Sequence, residues 1–277
     1  MTLKRWAAAG AATGAVVALV AFAPAAWLAG ALATASGQRL LLADARGTVW
    51  NGNAVLVLTG GEGSRDASAL PDRLHWRLRP AGAGFTLYAR QSCCLNGEQP
   101  LRVVFGLGRV RLELPAADVS ASAAPQVGPG PTLGQWPAAW LTGLGTPWNT
   151  LKPTGTLQLS SPGLVLEQVQ GRWRFSGRLD LTLATLASRL STLDSLGSYR
   201  LTLSGDAAGD QPSRLQLLTT EGALQLSGSG ELLGSGAASR LRFRGQASAA
   251  SGFEAALGNL LNIIGRRQGA SSVISIG

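Results

Sequence analysis

The sequence has very few of the residues on which most enzyme chemistry depends. Among 277 residues there is one histidine, His75, and there are two cysteines, Cys93 and Cys94. One histidine argues against histidine-based metal centres and Ser-His-Asp triads, and it sits mid-strand where a surface position is expected. Two cysteines exclude a disulfide-dense scaffold and a four-cysteine zinc site. With no carboxylate pair or phosphate-binding loop either, the sequence predicts a protein that is not an enzyme and needs no cofactor or metal.

Charged residues are also scarce, and nearly all of the basic ones are arginines. Charged residues make up 14% of the chain, against about 25% in ordinary soluble domains. The formal net charge is +9, and Lys4 and Lys152 are the only lysines among 24 bases. The arginines are spread thinly, without a basic helix or a zinc finger, so nucleic acid is not a predicted partner. A solvated or anion-facing β surface is the favoured interpretation, and anionic lipid headgroups would attract it.

The two cysteines are adjacent in the chain. Neighbouring Cα atoms lie about 3.8 Å apart, below the range of roughly 4.4–6.8 Å that is usual for disulfides. The sequence therefore favours a loop or strand position that tolerates two small apolar residues. A strained vicinal disulfide that acts as a redox switch is the alternative.

A long uncharged run follows Lys4 and Arg5. From residue 6 to residue 33 only Thr13 is clearly polar, and a helix of that length, about 40 Å, exceeds a hydrocarbon core of about 30 Å. The pattern predicts a transmembrane anchor over residues 6–33 of the inner membrane of a two-membrane bacterium. The basic flank predicts that residues 1–5 stay in the cytoplasm and that the rest enters the periplasm. A cleaved signal peptide is the alternative, and it exports the same later residues.

Beyond the anchor, apolar and polar residues alternate with a period of two, as in Leu74, Trp76 and Leu78. This period is typical of strands that bury one face. We therefore expect a mainly β protein with a periplasmic antiparallel meander, folded as two packed sheets or as one sheet curled over its apolar face. Gly106-Leu107-Gly108 predicts one of its hairpin turns.

Two short amphipathic helices are expected within this meander. Apolar residues recur at helical spacing over 134–144 and over 252–264, and Ser251 with Glu254 fits a capping box for the second helix. Because strands and then a helix occur twice, the sequence predicts a first half over 34–132 and a second over 133–277, related by a degenerate duplication.

Two segments are more specific than a sheet requires. Gly47–Gly52 reads GTVWNG, in which Asn51-Gly52 predicts a tight type I′ hairpin turn beside a core Trp50. Gly143–Gly155 leads from the first predicted helix into the second half. A third pattern, Arg240, Arg242 and Arg244, places a basic ladder on one strand face, either for solubility or to bind an acidic partner or a lipid headgroup.

At these segments the chain resembles the type II secretion system protein N family. The ordered stretches that carry the resemblance are Gly47–Gly52, Leu70–Trp76, Gly143–Leu157, Leu196–Leu201, Leu224–Gly230 and Leu260–Gly277. Within them the residues that match the family pattern are Gly47, Trp50, Asn51, Gly52, Trp148, Asn149, Gly265, Arg266 and Arg267. We expect these residues to determine the fold rather than to contact partners.

The resemblance implies an inner-membrane protein with a periplasmic domain and no catalytic residues, which assists the export of folded proteins across the outer membrane. Its expected partners are other secretion components, either the inner-membrane platform or the secretin, reached through edge strands or loops. The alternative is a lipid-handling module, because leucine-lined meanders with terminal helices are similar to the AsmA-like envelope proteins. This alternative rests on analogy of fold.

Overall fold

The computed structural model describes residues 2–115, 130–169, 172–206, 212–233 and 240–277. The strands of this part belong to one antiparallel sheet. They are β1 (Leu40–Gly47), β2 (Asn51–Thr59), β3 (Ala67–Ala81), β4 (Gly84–Arg90), β5 (Gln99–Gly106), β6 (Arg109–Leu114), β7 (Thr132–Pro137), β8 (Pro153–Val169), β9 (Arg172–Ser188), β10 (Gly197–Gly205), β11 (Ser213–Glu221), β12 (Leu224–Leu233), β13 (Arg240–Ala249), β14 (Arg266–Gln268) and β15 (Ser271–Ile276). The mainly β antiparallel prediction is confirmed, and the described strands form one sheet rather than two.

Consecutive strands are neighbours along most of the sheet. The order runs from β1 to β6, continues from β8 to β13 and ends with β15 and β14. β6 pairs with the later part of β8, where Leu112 faces Leu166, and β7 pairs with its earlier part, where Trp136 faces Leu157. The predicted halves therefore share one sheet, while the internal duplication stays a prediction. The predicted β5–β6 hairpin is confirmed, with Gly106 facing Arg109.

The N-terminal apolar run forms two helices instead of the predicted single helix over 6–33. α1 spans Thr2–Ala21 and α2 spans Ala25–Ala35. Pro24 breaks the helix because it has no N–H to donate and because its ring disfavours helical backbone at the preceding residue. Among the residues that the structure describes, no helix is long and apolar enough to cross a membrane.

α2 packs against the end of the sheet that β1, β2 and β3 form. Ala25 of the helix is buried against Leu42, Ala54 and Trp76, which come from β1, β2 and β3. The turn between β1 and β2 also fixes the break before α2, because the Val49 N–H donates to the Ala23 carbonyl at 2.9 Å. We call the buried group Ala25, Leu42, Ala54 and Trp76 the N-terminal cluster.

The helix α4 (Glu254–Ile264) covers the other end of the sheet, close to the predicted 252–264. Its Leu257, Leu260 and Leu261 are buried with Leu196, Tyr199, Ala223, Leu224 and Ala247, a group we call the C-terminal cluster. Burial raises the pKa of the Tyr199 phenol, whose hydroxyl donates to the Leu224 carbonyl at 3.0 Å. The predicted capping box is wrong, because Phe253 occupies the N-cap and the Glu254 carboxylate accepts from the Gly252 N–H.

The predicted helix over 134–144 is only partly present. Its first residues belong to β7, and a 3₁₀ helix then spans Ala138–Leu144, followed by the short α3 (Trp148–Leu151). β7 forms because its backbone completes a ladder with β8, and the Gln135 N–H also donates to the Cys94 carbonyl at 2.7 Å. Trp136 and Trp140 stack with ring centroids 6.5 Å apart, so the apolar spacing that favoured a helix reflects packing across the strand–helix junction.

Candidate functional site

One face of the sheet is lined by apolar residues from nearly every strand. The pairing registers align them in cross-strand rows: Leu78, Leu87 and Leu101; Val103, Leu112, Leu166 and Phe175; and Leu181, Leu201 and Leu217. We call these ten residues the apolar face. α2 and α4 cover its two ends, while the residues of the rows themselves are half-buried. The face therefore stays partly open to solvent between the two helices.

Aromatic rings connect this face with α1. The centroids of Trp50 and Phe85 are 5.7 Å apart, and those of Phe85 and Phe105 are 6.0 Å apart. The Trp50 Nε1–H donates to the Val20 carbonyl at 2.7 Å, near the end of α1. α1 itself exposes large apolar side chains, with Trp6 79% exposed. A line of aromatic groups thus leads from an exposed apolar helix to the edge of the apolar face.

The opposite face carries the predicted basic ladder. Arg242 and Arg244 line a concavity of about 1020 Å³ between β10 and β15. The other polar side chains that line it are Thr202, Ser204, Arg214, Gln216, Ser229 and Glu231. We call this concavity the basic basin. Arg240 lies at the start of β13, but its side chain is outside the described residues.

The segment Gly47–Gly52 makes a turn, though not at the predicted place. The turn comprises residues 48–50, where the Thr48 N–H donates to the Asn51 carbonyl at 2.9 Å and the Asn51 N–H donates to Thr48 Oγ1 at 3.1 Å. A type I′ turn at Asn51-Gly52 needs positive φ at both residues, whereas the positive φ lies at Gly47, at 87°. That prediction is wrong, since Asn51 and Gly52 are the first residues of β2.

The core tryptophan near this turn is Trp76 rather than Trp50. Trp76 is 3% exposed, and its Nε1–H donates to the Val49 carbonyl at 3.1 Å. Trp50 is half-buried. A Cβ on Gly52 would lie 2.5 Å from Cζ2 of Trp76, so the glycine makes room for the indole. These contacts agree with a structural role for the segment, and the core tryptophan is Trp76 rather than the predicted Trp50.

The segment Gly143–Gly155 docks on the β2–β3 connection. Gly143 approaches the sheet so closely that a Cβ would lie 2.2 Å from the Leu58 carbonyl oxygen. The Asn149 side-chain amide donates to the Asp66 carboxylate at 3.2 Å, just after a cis peptide bond between Thr146 and Pro147. Trp148 is half-buried in α3 beside it. The motif residues Trp148 and Asn149 are therefore both part of the packed structure.

The tail motif closes the C-terminal end. A Cβ on Gly265 would lie 2.5 Å from the Val273 carbonyl oxygen, so α4 and β15 meet closely there. The Ser272 hydroxyl donates to the Leu261 carbonyl at 2.7 Å. Arg266 and Arg267 are exposed on β14, where the Arg267 Nε–H donates to the Gly269 carbonyl.

Cys93 and Cys94 form a vicinal disulfide in the loop between β4 and β5. The preference for two unbonded cysteines is therefore wrong. The loop is held by β7, because the Asn96 N–H donates to the Leu133 carbonyl at 2.9 Å and an isolated bridge joins Leu95 to Gly134. β7 therefore holds the C-terminal side of this loop against the sheet.

Two aspartates, Asp180 and Asp44, have structural partners. Asp180 is fully buried, and its carboxylate accepts from Arg178 Nε at 2.7 Å and from the Thr202 hydroxyl at 2.6 Å. The guanidinium groups of Arg46 and Arg73 hold the pKa of Asp44 below its usual value. His75 is exposed, as expected. Within the described ranges no group of histidine, cysteine and acidic residues could hold a metal ion.

Comparison with known families gives a match over most of the chain. The family model described as type II secretion system (T2SS), protein N, matches residues 38–274, which include every described strand from β1 to β14 and most of β15. No curated protein and no solved structure matches the chain. The family match agrees with the resemblance carried by the sequence motifs, and the chain belongs to the type II secretion system protein N family.

Proposed function

We propose that the chain is an accessory inner-membrane component of the type II secretion system, which assists the export of folded proteins through periplasmic contacts with other secretion proteins. The family match over residues 38–274 carries this proposal. Because that match spans the sheet and α4, the proposal assigns the partner contacts to the sheet domain. A non-catalytic role is part of the proposal and agrees with the structural partners found for Asp180 and Asp44.

The proposed place at the inner membrane is supported by α1. Its exposed apolar side chains include Trp6, Val16 and Val17, and Phe22 directly after the helix is 76% exposed. Burying such side chains in an apolar environment is favourable by about 1.5–3 kcal/mol each. We therefore assign the contact with lipid to α1 and place the sheet in the periplasm, with Lys4 and Arg5 on the cytoplasmic side.

The edge of the sheet at β15 supports contact with a partner strand. β14 pairs only with residues 271–273 of β15, which leaves Ile274–Ile276 without an outer neighbour among the described strands. Unpaired backbone groups at a sheet edge can accept a strand from another protein. We propose this edge as a contact with the inner-membrane platform or the secretin.

Site-specific cross-linking in cells tests the proposal. A photo-crosslinking amino acid placed at Ile276, on the open edge, is expected to capture a platform protein or the secretin. The matched control places it at Leu107, which is fully exposed on the β5–β6 turn, and is expected to capture much less. Recovery of no secretion component from either position, or from the wild-type chain after general cross-linking, would contradict the proposed function.

A second candidate function, lipid handling, is favoured by the apolar face. Ten half-buried apolar residues in adjacent rows form a larger apolar surface than soluble proteins usually leave open, and extended apolar surfaces mark ligand or partner sites. The occupant we assign to it is an acyl chain, because the aromatic line from α1 reaches the same face. A lipid-handling role is compatible with membership of the secretion system.

Lipid binding is measured with a fluorescent fatty acid and by mass spectrometry of lipids that copurify with the full chain. Leu112→Gln places an amide on the apolar face and is expected to weaken fatty-acid binding several-fold. The acyl chain would bury less apolar surface there and would contact a polar amide. Arg111→Gln alters the neighbouring residue on the opposite face and serves as the control. Equal binding by both variants, with circular dichroism showing both folded, would exclude the apolar face as the site.

A further inference from the structure

We propose that the basic basin binds an acidic segment of a partner protein in an extended conformation. The inference rests on the proposed function, since it specifies the chemistry of one protein contact of the periplasmic domain. It concerns the polar face, which adjoins the β15 edge at Ile276 and lies opposite the apolar face.

The charges that face the basin have an excess of positive sign. Arg214, Arg242 and Arg244 line it together with one acid, Glu231. In the pairing register Glu231 faces Arg214 on one side and Arg242 on the other. Asp180 faces Thr202 across the β9–β10 pair, and its buried charge is paired with Arg178. Arg214 also has an interaction partner within the chain, and one glutamate cannot offset the charges of both Arg242 and Arg244.

Two of these arginines are available to a ligand. Arg242 and Arg244 are exposed and make neither a hydrogen bond nor an ion pair with the part of the chain that the structure describes. Arg178, Arg73 and Arg46, by comparison, each pair with an aspartate. A guanidinium group presents a planar set of donors that matches a carboxylate in a bidentate manner. The two free guanidinium groups therefore favour a ligand that carries carboxylates.

The spacing of the two arginines favours an extended ligand. Residues two apart on a strand lie on the same face, about 6.6–6.8 Å apart along it. Acidic residues at alternate positions of an extended partner segment have the same spacing. The remaining lining groups, Thr202, Ser204, Gln216 and Ser229, offer hydroxyl and amide groups that can bind the backbone of that segment. Charge and polar lining together fit a peptide chain.

The shape of the basin favours a protein segment over a membrane surface. The arginines line a concavity of about 1020 Å³, and an extended segment lying in it contacts more of the lining groups than a flat bilayer surface does. The basin is also on the face opposite the apolar rows, whereas a lipid molecule would gain most from contact with those rows. A lipid headgroup therefore becomes an alternative result of the test.

Fluorescence anisotropy with the full chain provides the measurement. The probe is a labelled eight-residue peptide in which glutamate and serine alternate, and the matched peptide has the same composition with its four glutamates in one block. The alternating peptide is expected to bind more tightly. The double variant Arg242→Gln/Arg244→Gln is expected to weaken its binding about tenfold, as the loss of two exposed ion pairs implies. Glu231→Gln, which removes the opposing charge, is expected to strengthen binding a few-fold.

The control variant is Arg266→Gln/Arg267→Gln, which removes the same charge from the exposed β14. It is expected to leave the affinity within about twofold, because Arg266 lies two strands away from β13 and two residues along from Arg244, about 12 Å by strand geometry, whereas the Debye length is about 8 Å at physiological salt. An equal loss in both double variants would overturn the inference, since net charge alone would then explain binding. Equal affinity for the two peptides would overturn it as well.

Vesicles containing phosphatidylglycerol separate the headgroup alternative. Binding to vesicles that depends on Arg242 and Arg244, without binding to the alternating peptide, would replace the protein segment with a lipid headgroup. Failure of this inference is distinguishable from failure of the proposed function, because general cross-linking of the wild-type chain captures secretion components at any surface, whether or not the basin binds the peptide. Retained cross-links with no peptide binding would reject only the basin.

Discussion

Replacing Leu261 with alanine is expected to lower the free energy of unfolding by about 3 kcal/mol. Leu261 is fully buried in the C-terminal cluster, between α4 and strands β10, β12 and β13. Truncation removes the transfer free energy of the lost atoms and leaves a cavity that closely packed neighbours fill only in part. Urea unfolding of the purified full chain, followed by tryptophan fluorescence, gives the value.

The control for this prediction lies on the same helix. Ile263 is 52% exposed, and Ile263→Ala is expected to cost less than about 1 kcal/mol, since half of its side chain already contacts water. If the two substitutions cost the same, α4 is not packed on the sheet in the way described.

The strands could be predicted from the sequence because their signal is local. Leu74, Trp76 and Leu78 alternate with polar residues, and that period alone separates a strand with one buried face from a helix. The helix prediction over the residues of β7 was wrong because it too relied on a local signal. Trp136 and Trp140 recur at helical spacing, yet backbone pairing with β8, which is distant in sequence, determines the local structure.

The N-terminal run shows a different limit of sequence reasoning. Its composition predicts one long apolar helix, and a single residue, Pro24, divides it. Once divided, α2 buries Ala25 against the sheet, so residues that suggested a membrane anchor contribute instead to a protein core. Composition indicates that a segment is apolar, but the partner that covers it depends on tertiary packing.

The basic basin could be predicted only in part. Alternation placed Arg242 and Arg244 on one face, because side chains of a strand alternate between its two faces. The sequence could not place Arg214, Gln216 or Thr202 beside them, since the register between strands brings those residues together. It also could not show that Asp180 is buried and paired, so that it adds no free charge.

Replacing Trp76 with alanine is expected to have the largest effect, a loss of about 4 kcal/mol in the free energy of unfolding. Trp76 is 3% exposed in the N-terminal cluster, and its indole N–H binds the turn at residues 48–50. The substitution removes a large ring and one hydrogen bond. Trp76→Phe keeps most of the packing and is expected to cost about half as much.

The control for Trp76 is Trp27→Ala, because Trp27 is 54% exposed on α2, the helix that covers the same cluster. Its cost is expected to stay below about 1 kcal/mol. A loss as large as that of Trp76→Ala would show that α2 buries a different face from the one described.

The region of the sheet that each substitution destabilises is as informative as the loss in free energy of unfolding. Trp76 and Leu261 belong to clusters that share no residue and lie at opposite ends of one sheet. Each strand contacts mainly its neighbours, so the stability of such a sheet can be divided among local units. Amide hydrogen exchange of the Trp76→Ala variant should therefore accelerate in β1–β4 and remain near wild-type values in β10–β13. Uniform acceleration would mean that the sheet unfolds as one cooperative unit, and the Leu261→Ala variant would then lose protection in β1–β4 as well.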